Sequence, residues 1–252
     1  MAMSLTERRE KILEMLAEDS GVSVSELSKH LGVTVVTARS DLSALEDAGL
    51  LVRTRGGAMP AFHPKIFART HENRKIKEQI ARSAASEIKD GDSVIISTGT
   101  TTAMIARYLL GKRDVHIVTN NTLLLTYARI NPQLHVTLIG GEFRSAEEGV
   151  VGPMAMDALD HFYVSKAFIG IDGASEKQGF TAHFLDSSEL VRKMADQADA
   201  VIAVSDSGKF GKPGFARILP FSRVDTLITD DQIDSRFEAV LSESGVRVVK
   251  AK

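Results

Sequence analysis

Six short apolar runs, at 93–97, 116–118, 135–139, 167–171, 200–204 and 224–229, alternate mostly with helix-length segments in the latter part of this chain. Runs that are nearly continuous rather than alternating in polarity belong to strands buried on both faces, and strands separated by helices pair in parallel. The pattern therefore predicts an α/β domain whose parallel sheet is covered by helices on both sides. No internal repeat or low-complexity tract interrupts it.

The beginning of the chain reads differently. Ser4 with Glu7 forms a capping box, and Ile12, Leu13, Met15 and Leu16 supply an apolar stripe, so a helix is expected from about 6 to 17. Ser23 with Glu26 repeats the capping signal for a short second helix carrying Leu27 and Leu31, which Gly32 stops. After the turn Gly32-Val33-Thr34, a third helix capped by Thr34 places Ala38, Leu42 and Leu45 inward, leaves Thr37, Arg39 and Ser40 facing outward, and ends at Gly49. Residues 50 to 58, apolar and then cationic with Gly56-Gly57 at the turn, suit a two-stranded wing. Pro60 to Pro64 breaks regular structure, and 71 to 88 reads as a connecting helix. This gives a domain at 1–60, a linker at 61–75 and a second domain at 76–252.

A helix, a tight turn, a second helix and a wing is the arrangement that inserts a recognition helix into the major groove, where Arg reads guanine edges and short hydroxyl side chains contact phosphate or base. Thr37, Arg39, Ser40, Arg53 and Arg55 are the DNA-binding candidates. A three-helix bundle for protein contacts is the competing reading, because residues 1–60 hold seven Lys/Arg against nine Asp/Glu. The following twenty residues have five Lys/Arg against two Asp/Glu, an excess that would steer DNA.

The chain has no cysteine, which excludes disulfides, thiolate metal sites and cysteine nucleophiles and fits a cytoplasmic protein. Its seven histidines form no close pair, so no metal site is expected. Its start is polar, and no apolar run approaches the ~18 residues of a membrane span.

In the α/β half, Gly99-Thr100-Thr101-Thr102 follows an apolar strand and opens a helix expected from 102 to 110. Helix N-termini collect unpaired amides and positive potential, Gly lets an anion approach, and threonine hydroxyls add donors. Thr119-Asn120-Asn121, Gly140-Gly141 through Arg144, Asp172-Gly173 and Asp206 through Lys209 close four further strands. Carboxyl ends of strands in open α/β sheets form the ligand crevice, so these segments are expected to converge. The effector-binding candidates are Gly99, Thr100, Thr101, Thr102, Asn120, Asn121, Gly141, Arg144, Asp172 and Lys209. Arg144 and Lys209 are suited to neutralising phosphate, and Asn120, Asn121 and Asp172 to holding sugar hydroxyls. For each one alone, a turn or capping role is the competing reading.

With Thr37, Arg39, Asp41 and Leu42 on the third helix and Arg53-Thr54-Arg55-Gly56-Gly57-Ala58 in the wing, the sequence resembles the DeoR family of bacterial sugar-catabolism regulators. The resemblance continues at Thr98-Gly99-Thr100-Thr101, Thr119-Asn120-Asn121, Gly140-Gly141 with Arg144, Phe168 through Gly173 and Ser207 through Gly211, and so covers nearly the whole chain. It implies an N-terminal winged helix-turn-helix and a C-terminal sensor domain similar to ribose-5-phosphate isomerase and the coenzyme A transferases. It also implies a threonine loop that holds phosphate, and a phosphosugar that loosens a repressor from its operator. Against the family pattern, Ser40 stands where a second Arg is usual, Ala38 where a larger apolar residue is common, and Ser97 where Asp is frequent. Ser187 and Val191 stand where Glu and Lys are frequent.

The reading is thus a repressor with double-stranded operator DNA and a phosphorylated sugar as partners, a homodimer or homotetramer, with no cofactor, no metal and no catalytic residue. The alternative is a phosphosugar isomerase with a helical appendage, using Asp172 or Glu176 as base and Lys209 as partner. Activation in place of repression is a third reading that the residues leave open.

Overall fold

The computed structural model describes residues 5–19, 21–47, 50–54 and 57–252. Ser4, Gly49, Arg55 and Gly56, each given a role above, lie outside the described residues. The chain divides into two compact units, Met1–Glu72 and Asn73–Lys252.

The first unit contains α1 (Leu5–Glu18), α2 (Val24–Leu31), α3 (Val35–Asp47), β1 (Leu51–Thr54), β2 (Gly57–Pro60) and α4 (Pro64–His71). Ile12, Leu16, Leu27, Ala38 and Leu42 form its fully buried centre, with Leu45 and Leu51 packed beside them. The Ser23 box is complete: Ser23 Oγ accepts the Glu26 amide at 3.2 Å while Glu26 Oε2 accepts the Ser23 amide at 2.8 Å. Gly32 ends α2 at φ +64°, where a side chain would be strained. β1 and β2 pair antiparallel, Thr54 opposite Gly57. Ahead of the helix expected from 71, in residues 61–70 read above without an element, α4 begins at Pro64, and its Phe67 packs on the three-helix core. Proline at the first helical position is compatible with a helix start, so Pro64 begins a helix where it was read as breaking structure.

The second unit begins with α5 (Arg74–Ser86), β3 (Ser93–Ile96), α6 (Thr100–Ala103), β4 (Val115–Thr119), α7 (Leu124–Ala128) and β5 (Leu134–Leu138). Then come β6 (Glu142–Arg144), β7 (Gly149–Val151), α8 (Pro153–Leu159), β8 (Val164–Gly170), β9 (Gly173–Ser175), β10 (Gly179–Ala182) and α9 (Leu185–Asp196). It closes with β11 (Ala198–Val204), β12 (Ala216–Leu219), β13 (Thr226–Thr229), α10 (Ser235–Glu243) and β14 (Arg247–Lys250). Seven strands form one sheet in the order β14-β13-β11-β8-β3-β4-β5, every pair parallel. All six predicted runs are in it.

Side chains alternate between two separate cores. Ile95, Ala167, Ile169, Val201 and Ala203 enter one, whereas Val94, Ile96, Phe168, Ile202 and Val204 enter the other. Because both faces are buried, the strands read as continuous apolar runs. The helix expected from 102 to 110 is instead the four-residue α6 followed by a 3-10 turn, Met104–Leu109. Three β-branched threonines lie in α6, and Thr102 Oγ1 donates to the Ser97 and Gly99 carbonyls at 2.8 and 3.0 Å. Such bonding competes with regular helix hydrogen bonds.

Candidate nucleic-acid interface and effector crevice

Burial of Ala38, Asp41, Leu42 and Leu45 fixes which face of α3 remains outside. Val36, Arg39, Ser40 and Ser43 form the exposed stripe, at helical spacings of three and four. Arg39 has no ion-pair partner among the described residues. Val36, 77 % exposed, is an apolar residue that the sequence reading did not single out. Thr37, expected outside, is half-buried, and its hydroxyl lies 2.9 Å from that of Thr34, which also accepts the Thr37 amide at 3.1 Å. Thr34 thus caps α3 as expected, and Thr37 belongs to the cap. Asp41, buried, accepts from Arg8 Nε at 2.5 Å and Nη2 at 3.2 Å, tying α3 to α1. In the wing, Arg53 is half-buried and its amide donates to Glu46 Oε1 at 3.3 Å. Val52 and Met59, directly opposite across the two strands, are both exposed.

In the second unit the loops after β3, β4 and β8 are fastened to one another. The Thr98 amide donates to Asn120 Oδ1 at 2.9 Å, and Asn120 Nδ2 donates to the Val150 carbonyl at 3.0 Å. Asn121 Nδ2 donates to the Ser97 and Gly99 carbonyls at 3.2 and 3.0 Å. Ser97 Oγ accepts the Gly170 amide at 2.9 Å, which is what this serine does where the family pattern has Asp. Asn120, Asn121 and Thr102 are buried, so their polar atoms organise the loop from beneath. Gly99 takes φ +144°, and a Cβ there would stand 2.9 Å from Thr102 Oγ1. The first amides of α6, at Thr100 and Thr101, have no acceptor inside the helix.

Arg144, expected to meet phosphate, has partners of its own. It donates through both terminal nitrogens to the Asp186 carboxylate, Nη1 at 2.7 Å, lies 3.5 Å from Glu147 Oε2, and covers the Phe184 ring at 4.8 Å. The Asp186 hydrogen bond holds this guanidinium above its ordinary value. Ser187 Oγ donates to Glu147 Oε2 at 2.6 Å, and Val191 is core. Gly141 takes φ +147°, and a Cβ there would meet the Val151 carbonyl at 2.6 Å, so its role is close packing. Asp172 Oδ2 accepts the His183 amide at 3.0 Å, and Glu176 pairs with Arg236 at 2.6 Å, so both carboxylates of the isomerase alternative are engaged. Lys209, half-exposed on the 3-10 turn Ser207–Lys209, has no ion-pair partner among the described residues. A separate open cleft of about 530 Å³ runs between β10, β12, α9 and α10, lined by Gly179, Arg192, Ile218, Phe221 and Val240 among others. Arg192 donates to the Ile218 and Arg217 carbonyls at its edge, 3.2 and 2.9 Å away.

Residues 8–61 match the DeoR-like helix-turn-helix domain, and residues 72–231 match the DeoR C terminal sensor domain. The chain belongs to the DeoR family of transcriptional regulators. This DeoR-family chain is 32 % identical over 247 residues to the HTH-type transcriptional repressor GlcR of Bacillus subtilis, covering 96 % of this chain and 95 % of that one. It is 30 % identical over 235 residues to the Glycerol-3-phosphate regulon repressor of Escherichia coli, covering 90 % and 92 %. A ribose 5-phosphate isomerase from Methanocaldococcus jannaschii aligns over 56 % of each chain with a TM-score of 0.41 and 18 % identity. Among the described residues no helix is long and apolar enough to cross a membrane.

Proposed function

We propose that this DeoR-family regulator represses sugar-catabolism genes from the cytoplasm, with residues 1–60 on double-stranded operator DNA, 61–75 as connection and 76–252 sensing a phosphorylated sugar that relieves repression. Arg39 and Ser40 on α3, with Arg53 and Arg55 of the wing, contact DNA. Val36 adds an apolar contact of the kind thymine methyl groups accept. The phosphate sits against the amides and hydroxyls of Gly99, Thr100 and Thr101, with Lys209 as its cation and Asp172 near the sugar hydroxyls. Thr102, Asn120 and Asn121 hold that loop in shape. The regulator works as a homodimer or homotetramer, since two half-sites supply the affinity that one winged unit lacks.

The observation that supports the effector reading is the cross-tied loop: its carbonyls are held by Asn121 and Thr102, while the first amides of α6 have no acceptor inside the helix. Unpaired amides at such a turn, with threonine hydroxyls beside them, are the donors an anion takes. The name of the glycerol-3-phosphate regulon relative is consistent with a phosphorylated signal.

A thermal-shift screen with sugar phosphates, the matching free sugars and inorganic phosphate tests the proposal. A phosphorylated ligand at 100 times its dissociation constant adds ~2.7 kcal/mol of stability. The same ligand then lowers affinity for an operator fragment selected from random DNA, by the ~5–150-fold of ordinary coupling energies. Stabilisation by free sugars alone would exclude the phosphate assignment.

A further inference from the structure

The register of β4 and β5 sets His116 directly opposite His135. Opposed residues on adjacent strands project from the same face about 4.8 Å apart. The two imidazoles stack with centroids 4.6 Å apart and planes 19° from parallel, so the histidines do form a pair that the sequence does not reveal. Asp114, just before β4, adopts φ +54° and brings its carboxylate to both rings. Its Oδ1 stands 3.4 Å from His116 Nε2 and 3.6 Å from His135 Nε2. All three side chains are more than half exposed, and one ligand atom from each lies within 4.8 Å of the others.

We propose that Asp114, His116 and His135 bind a divalent transition-metal ion of the Zn²⁺ type. Zinc bonds to imidazole nitrogen and carboxylate oxygen are ~2.0–2.1 Å, so the edges of its ligand tetrahedron are about 3.3 Å. Two edges of the present triangle are 3.4 and 3.6 Å. Closing the third edge requires the two imidazoles to turn out of their stack so that their nitrogens converge, which their exposed positions leave room for, and they have no other hydrogen-bond partners among the described residues. Two neutral imidazoles and one carboxylate, with water completing the shell, suit zinc, nickel or copper and not the all-oxygen preference of magnesium or calcium. The chain has no cysteine, so no thiolate competes for the ion. Asp114 and His116 stand at the amino end of β4, whereas the effector loops follow the carboxyl ends of the strands, so metal and effector do not share ligands.

Titration calorimetry of the full-length protein with ZnCl₂ tests the site. The expected result is one equivalent bound, with a rise in melting temperature reversed by EDTA. The double variant His116→Asn/His135→Asn loses that equivalent. Asp114→Asn, which keeps a side chain tolerant of positive φ, weakens binding by more than the roughly tenfold that loss of an outer-shell partner costs. Circular dichroism of the metal-free variants matches the parent, because the three side chains are on the surface. A parent that takes up no Zn²⁺, or a double variant that binds it as tightly as the parent, overturns the proposal.

Discussion

The side-chain amide of Asn121 donates to the carbonyl oxygen of Gly99 at 3.0 Å, from a position buried beneath the threonine loop. Asn121→Ala removes one donor from the Gly99 and Ser97 carbonyls, which keep the Thr102 hydroxyl, and deprives the Leu123 amide of the Asn121 Oδ1 acceptor it meets at 3.1 Å. Leaving a buried polar group unpaired costs ~1–3 kcal/mol. The urea midpoint of the variant is expected to fall accordingly, and its response to a phosphorylated ligand to weaken. An unchanged midpoint and an unchanged ligand shift would together show that the loop holds its shape without Asn121.

Arg39 stands on the exposed stripe of α3 without an ion-pair partner among the described residues. Arg39→Ala should weaken binding to a selected operator by ~1–3 kcal/mol and relax preference at one base pair. Val36→Ser should affect discrimination at a thymine more than total affinity. Fluorescence anisotropy against single-base operator variants measures both, and equal affinities for parent and Arg39→Ala would move the DNA face elsewhere.

Arg144 holds the Asp186 carboxyl below its ordinary value, chiefly through the hydrogen bond between them. An unfolded aspartate titrates near ~3.9, so a lowered folded value means the pair adds stability above that pH. The contribution disappears as pH falls through the lowered folded value. Asp186 is 37 % exposed, so solvent screening keeps the effect small. Melting temperature followed from pH 7 to 3 should fall less steeply below pH 4 in Asp186→Asn than in the parent, from a lower starting value. Parallel curves would show that the pair contributes nothing to acid sensitivity.

Gly173 begins β9 where a Cβ would stand 1.9 Å from the Lys212 carbonyl oxygen and 3.0 Å from the Gly214 amide. Both neighbours are backbone, so the strand must move. Gly173→Ala is expected to destabilise the sensor unit by ~1–3 kcal/mol, the usual cost of overpacking. Chemical denaturation monitored by circular dichroism checks this; a variant as stable as the parent would show the 212–214 segment giving way freely.

The strands at 93–96 and 164–170 were legible because burial on both faces leaves a run without polar interruption. β14 was not, since Arg247 and Lys250 are exposed at its ends and its valines are only half-buried. Three-residue strands such as β6 and β9 carry too few positions to show a period, and glycine at the start of β7, β9 and β10 imitates a turn. In the candidate site, polar residues after each strand marked where loops would gather. They did not show which polar atoms would be satisfied internally. Arg144 reads as a free cation until Asp186, 42 positions later, is found against it. Likewise, residues 116 and 135 become neighbours only through strand register.

Because Asn120, Asn121 and Ser97 brace the threonine loop through side chains of its own unit, the loop is a socket and not a latch. A metabolite that docks there has little chain to immobilise, which favours affinity by preorganisation. The same stiffness denies the loop a role as the moving part. In the proposed regulator the change that carries the message therefore lies outside this loop.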